Sequence, residues 1–140
     1  MVLESPDPDL PSTDEIETAL ELCIRAIDQS SSEKAHESLL NAVGNNHAGT
    51  YRESVISLID RLGPILRSGK CWSRHAIVEA LIDLYGSFEP EPGYAVCNGE
   101  PLDIVLRRHI EALRPSILCS VESGDVPTNV QELLGMMDGV

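Results

Sequence analysis

The sequence is poor in aromatic residues, in basic residues and in uninterrupted apolar runs. Aromatics make up 4% of the 140 residues, and the apolar content is mostly Leu, Ile, Val and Ala. A β-sandwich draws on Tyr, Phe, Val and Thr, so this composition favours helix-on-helix packing. No stretch is apolar over the length a bilayer demands. The opening MVLESPDPDLPSTDE has neither the basic start nor the apolar stretch of a signal peptide, so a cytoplasmic protein is expected. Cysteines are few and unpaired in sequence: Cys23, Cys71, Cys97 and Cys119 include no C-x-x-C, which a four-cysteine zinc site would need. In a reducing compartment such residues act as small hydrophobes. No metal and no cofactor is expected.

The scarcity of bases leaves a strong charge imbalance. Ten Lys and Arg face 23 Asp and Glu, for a net charge of −13. Residues 1–50 hold ten acids and two bases, and residues 51–140 hold thirteen and eight. Nucleic-acid affinity rests on Lys and Arg displacing counterions at phosphates, and anionic membranes repel the same surface, so neither partner is expected. A basic protein would be attracted and its encounter speeded. Acidity that merely maintains solubility is the competing account.

Periodicity reads as helix nearly throughout. Residues 1–11 form an acidic, proline-broken tail, and residues 12–140 a single helical domain. Ser12 and Glu15 suggest a capping box before a helix whose stripe is Ile16, Leu20, Cys23, Ile24 and Ile27. The run of serines at 30–32 ends that helix and caps the next, with Ala35, Leu39 and Val43 inward and Gly44-Asn45 as its stop. Thr50 and Glu53 suggest a second capping box, and Gly63-Pro64 a kink or end. WSRHAIVEALIDLYG is apolar over so wide an arc that neighbours on two sides are expected, placing it mid-domain. Further helices are expected after Pro101, after Pro115 and after Pro127, giving six to seven in all and no strand. The expected class is all-α.

Three stretches, ESVISLIDRLGP, HAIVEALIDLYG and DIVLRRHIEALRP, share a pattern of apolar pairs, intervening charge and a terminal helix breaker. Residues 51–115 resemble HEAT-type repeats, in particular small bacterial HEAT-like proteins whose centre is similar to LRSGKCWSRHAIVEALIDLYGSFEPEPG here. The repeats are irregular in length, and an acidic loop interrupts them. The resemblance implies antiparallel helical hairpins stacked as a short solenoid. It also implies an adaptor that binds other proteins along exposed helix faces. By analogy with small acidic helical proteins of bacteria, it suggests an immunity protein covering the active cleft of a basic toxin domain. A scaffold or regulatory subunit of a larger complex is the alternative.

The loop GSFEPEPGY is the most unusual segment. Each glutamate precedes a proline and is pushed toward extended geometry, so a stiff strut presenting carboxylates is expected. Such rigidity lowers the ordering cost of binding. A plain crossover over the domain is the alternative. Expected partner-binding residues are Glu89, Glu91, Asp83 and Glu100, with Tyr94 as an aromatic anchor. Asp28, Glu33 and Glu37 form a second candidate surface. Phe88 and Tyr94 are expected to fix the ends of the strut.

Chemistry-bearing residues are sparse, and a non-enzymatic protein is expected. Cys71 and His75 share a helical spacing and, with Cys97 or His109, invite a metal or thiol–imidazole reading. Against it, no orienting group or oxyanion loop is evident. His75 suits a first-turn position, His109 a half-buried core site, and His36 and His47 the surface. Trp72 is read either as an exposed anchor or as a staple on Ile77 with Ser73 as N-cap. Arg107 is expected to pair with Asp103 or Glu111 on its own helix.

Overall fold

The computed structural model describes residues 13–124 and 127–139. Its helices are α1 (Thr13–Arg25), α2 (Gln29–Ala42), α3 (Ser54–Ile59), α4 (Gly63–Ser68), α5 (Cys71–Gly86), α6 (Leu102–Glu111), α7 (Arg114–Glu122) and α8 (Val130–Met137). The molecule is mostly helical, as its Leu- and Ala-rich composition dictates. The expectation of no strand is corrected by five two-residue strands: β1 (Gly44–Asn45), β2 (Thr50–Tyr51), β3 (Glu89–Pro90), β4 (Val96–Cys97) and β5 (Glu100–Pro101). These are too short to show alternation in sequence. The acidic tail at 1–11 and the Ser12 cap lie outside the described residues.

Helix α1 buries Ile16, Ala19, Leu20 and Cys23 against α2 and α5. Ile24 and Ile27 depart from the expected stripe, being 57% and 80% exposed. Ile24 is turned about 100° from Cys23 around the axis, and Ile27 lies beyond the end of α1. The cap of α2 is Asp28, ahead of the serines: its carboxylate accepts from the Ser31 amide at 2.8 Å, and the Ser31 hydroxyl accepts from the Asp28 amide at 3.1 Å. The three serines therefore sit inside α2, where Ser32 is fully buried.

Gly44 belongs to strand β1, not to a helix stop. A Cβ there would run into the backbone carbonyl of Thr50 across the β1–β2 pair, so the close strand approach requires glycine. Thr50 is likewise a ladder residue rather than a cap, and Glu53 precedes α3 without a side-chain capping bond. Gly63-Pro64 ends the α3 segment and opens α4 with proline in its first turn.

Helix α5 begins at Cys71, so Ser73 and Trp72 are inside the helix and the expected staple geometry does not arise. Its buried residues Ala76, Ile77, Val78, Ala80, Leu81 and Leu84 cover a wide arc, and it packs against α1, α2, α4, α6 and α8. The wide apolar arc thus places it at the centre, as the sequence implies. The packing plan repeats: α3 lies on α6, α4 on α7 and α5 on α8, while α5 also lies on α2. Gly63-Pro64 and Arg114-Pro115 occupy matching breaks in the two runs.

A buried arginine joins these layers. Arg74 is 2% exposed. Its guanidinium donates to the carbonyls of Leu66 at 2.9 Å and Arg67 at 3.1 Å, and to Ser123 Oγ at 2.8 Å. The side chain of α5 thereby satisfies carbonyls at the end of α4 and ties both to the end of α7.

Candidate functional site

The acidic crossing, residues 87–101, is built from three local devices. Glu89-Pro90 pairs in parallel with Thr50-Tyr51, the Glu89 amide donating to Gly49 O at 3.0 Å and the Glu91 amide to Tyr51 O at 2.7 Å. Next, Glu91-Pro92-Gly93-Tyr94 closes a turn through the Tyr94 amide on Glu91 O at 2.9 Å, with Gly93 at φ 92°. Proline second and a positive-φ glycine third are what a type II turn demands. Then β4 and β5 form a hairpin over Asn98-Gly99, whose φ values of 52° and 82° fit a type I′ turn. The Asn-Gly dipeptide is the sequence signal that discloses this hairpin. The prolines do not interrupt the pairing, because the amides used are those of the glutamates.

Phe88 packs against the core at one end of the strut, beside Gly49. At the other, Tyr94 lies under the Arg52 guanidinium, 5.7 Å from ring centre to Cζ. Arg52 Nε also donates to Glu91 Oε2 at 2.7 Å, both side chains being largely covered. Glu91 is thus held inward as a clamp on Arg52, the residue that follows β2. Glu89, by contrast, is exposed.

The other expected contact residues are dispersed. Asp83, on α5, faces α2, where its carboxylate meets His36 Nε2 at 2.7 Å. His36 is therefore half-buried, not a surface residue. Glu100 pairs with Arg108 at 2.8 Å. On the second surface, Asp28 is occupied as the α2 cap, and its Ser31 hydrogen bonds hold its carboxyl below the usual range. Glu33 accepts from Gln29 Nε2 at 3.2 Å, and Glu37 is exposed.

The histidines and cysteines do not converge. His75 Nδ1 is 3.0 Å from Ser32 Oγ, its Nε2 is 3.8 Å from Glu79 Oε1, and Asn129 Nδ2 donates to Glu79 at 3.0 Å. The order hydroxyl–imidazole–carboxylate invites a nucleophile reading. However, Ser32 is completely buried and its hydroxyl also reaches Trp72 O at 3.1 Å, so no substrate meets it. The cluster joins α2, α5 and the start of α8. Trp72 sits edge-on to His75, with ring centres 5.3 Å apart. His109 pairs with Asp60 at 2.7 Å. It shares a cavity of about 220 Å³ with Cys97, whose thiol is pushed up by burial and by Glu53. Burial pushes the Cys23 thiol up to about 12. Among the described residues, no three His, Cys, Asp or Glu side chains are grouped to hold a metal ion.

A second cavity, about 210 Å³, opens between the strut, the end of α5 and α6. Tyr51, Tyr85, Phe88, Glu89, Asp103 and Arg107 line it. Arg107 forms no ion pair with Asp103 or Glu111, contrary to its helical spacing; its guanidinium lies 5.4 Å from the Tyr85 ring centre. Glu111 is taken by the Tyr85 hydroxyl, which donates to it at 3.1 Å.

Comparisons with protein-family models, with curated proteins and with solved structures give no match. No helix among the described residues is long and apolar enough to cross a membrane.

Proposed function

We propose that this chain is a non-enzymatic protein-binding inhibitor, of the immunity-protein kind, that covers the active cleft of a basic toxin domain. The net charge of −13 carries the reading, because it favours a basic partner over any anionic one. The rigid mounting of the strut supports it: Glu89 is exposed on backbone held by a ladder and two turns, so binding orders little. The repeated packing of α3–α5 on α6–α8 supports a HEAT-like layered scaffold beneath that surface.

Capture from a lysate of the source organism, at low and then high salt, tests the proposal. The expected result is one basic protein released by salt, whose activity the purified chain suppresses at equal stoichiometry. A captured protein with undiminished activity would overturn the inhibitor role.

A scaffold or regulatory subunit is the second reading, favoured by one apolar feature. Exposed Ile24 and Ile27 flank a groove of about 590 Å³ with Pro64 and Ile65. Capture of a large complex that resists high salt would select this reading.

A further inference from the structure

We infer that the apolar groove between the end of α1 and α4 is a docking site for this chain's own residues 1–12, whichever partner the acidic surface meets. The groove, about 590 Å³, is walled by Ile24, Ile27, Pro64 and Ile65. Ile27, at 80%, is the most exposed large apolar side chain among the described residues, and Ile24 beside it is 57% exposed. Contiguous apolar surface of this kind marks a contact face.

The charges at the rim define what covers it. No described residue lining the groove is acidic, although acids outnumber bases 23 to 10 in the chain. Arg25 and Lys70 stand at its edge. Lys70 is the N-cap of α5, a helix of 16 residues with no acid in its first turn, so the positive end of the helix dipole adds to the same potential. An apolar guest that carries carboxylates fits this surface, and a basic one does not.

Residues 1–12, MVLESPDPDLPS, have that chemistry: Val2, Leu3 and Leu10 are apolar, Glu4, Asp7 and Asp9 are acidic, and no base is present. They are also within reach. They join α1 at Thr13, and α1 rises about 20 Å from there to its end beside the groove. Twelve residues span up to about 40 Å, enough to double back along the helix. A second hollow, about 420 Å³, marks the route: it shares Ile24, Pro64 and Ile65 with the groove and runs toward the start of α1 as far as Glu17. The acids along it are already matched, Glu17 by Arg61, Glu21 by Arg25 at 2.8 Å and Asp60 by His109 at 2.7 Å. Tethering supplies an effective concentration of order millimolar. Prolines at 6, 8 and 11 reduce the conformational freedom that docking must remove. A scaffold partner that uses this groove would then have to displace the segment.

NOE spectroscopy of the full chain, labelled at Ile, Leu and Val methyls, tests this. Cross-peaks from Val2, Leu3 or Leu10 to Ile24, Ile27 or Ile65 are expected, and they should weaken as salt rises. Lys70→Glu should lower the docked-to-free ratio about two- to fivefold, and Ile27→Ser about tenfold. Both side chains are exposed, so core shifts should stay in place. E4Q/D7N/D9N should move the Ile27 methyl signals in the same direction as Lys70→Glu does. Methyls of residues 1–12 at their free-peptide shifts, with no cross-peak to the groove, would overturn the docking. So would cross-peaks that form only between differently labelled chains and vanish on dilution, which would make a second copy the occupant. Cross-peaks indifferent to both Lys70→Glu and E4Q/D7N/D9N would overturn the charge match on which the assignment rests.

Discussion

Individual side chains in this molecule gain their importance from burial rather than from type. Arg74 shows it best: a guanidinium, a group ordinarily left at the surface, is here 2% exposed and serves two carbonyls and a hydroxyl. Arg74→Met keeps the stem but strands those acceptors, so a loss of about 1–3 kcal/mol is expected. A urea midpoint equal to wild type would show that water replaces the guanidinium without loss. Tyr51 offers a second check. Burial, with Asp103 and Glu89 nearby, pushes its phenol up to about 12. The unfolded chain then releases this proton first, so the contribution is intact below the ordinary tyrosine value of about 10 and lost as pH rises toward 12. Tyr51→Phe should flatten that alkaline decline in stability, and an unchanged decline would assign it to other groups. Neither environment is legible in sequence, because each is made by residues seven to more than fifty positions away.

At the scale of elements, the strut is the test case. Its amides at Glu89 and Glu91 donate to the carbonyls of Gly49, just before β2, and of Tyr51 within it, whereas Gly93 and Gly99 occupy turns. Hydrogen exchange should therefore be slow at Glu89 and Glu91 and fast at Gly93 and Gly99. Uniformly fast exchange across 87–101 would mean that the segment is not pinned. Gly44→Ala should release the same segment, because the added Cβ parts β1 from β2 and disturbs the strand that holds β3. The helices were largely legible: the stripe of α2 follows from 3.6-residue periodicity, and α5 is central because its apolar arc is wide. The cap of α2 was missed because three serines outweighed the single Asp28 just before them. The short strands were missed because two residues carry no period. Of the candidate site, the extended glutamates were readable from their prolines. The inward turn of Glu91 was not, since Arg52 lies 39 positions away.

For the whole molecule, charge and topology pull in different directions. A net charge of −13 on 140 residues repels itself when the chain is compact. Raising salt from about 10 mM to about 150 mM shortens the screening length from roughly 30 to 8 Å, so the Tm should rise. A falling Tm would mean that the internal pairs, such as Arg52–Glu91 and His36–Asp83, outweigh the repulsion. Charge and fold class were legible at this scale from composition alone. The repeated order of packing was visible only as an echo between helices, because contact partners three elements apart leave no local trace. The parallel pairing of β2 with β3 has a kinetic corollary. It joins residues 50 and 89 only after α3, α4 and α5 have been folded between them. Closing so long a loop is slow relative to forming the helices it encloses. The strut is therefore pinned last on the folding route, and a partner that requires it would recognise finished molecules and pass over nascent ones.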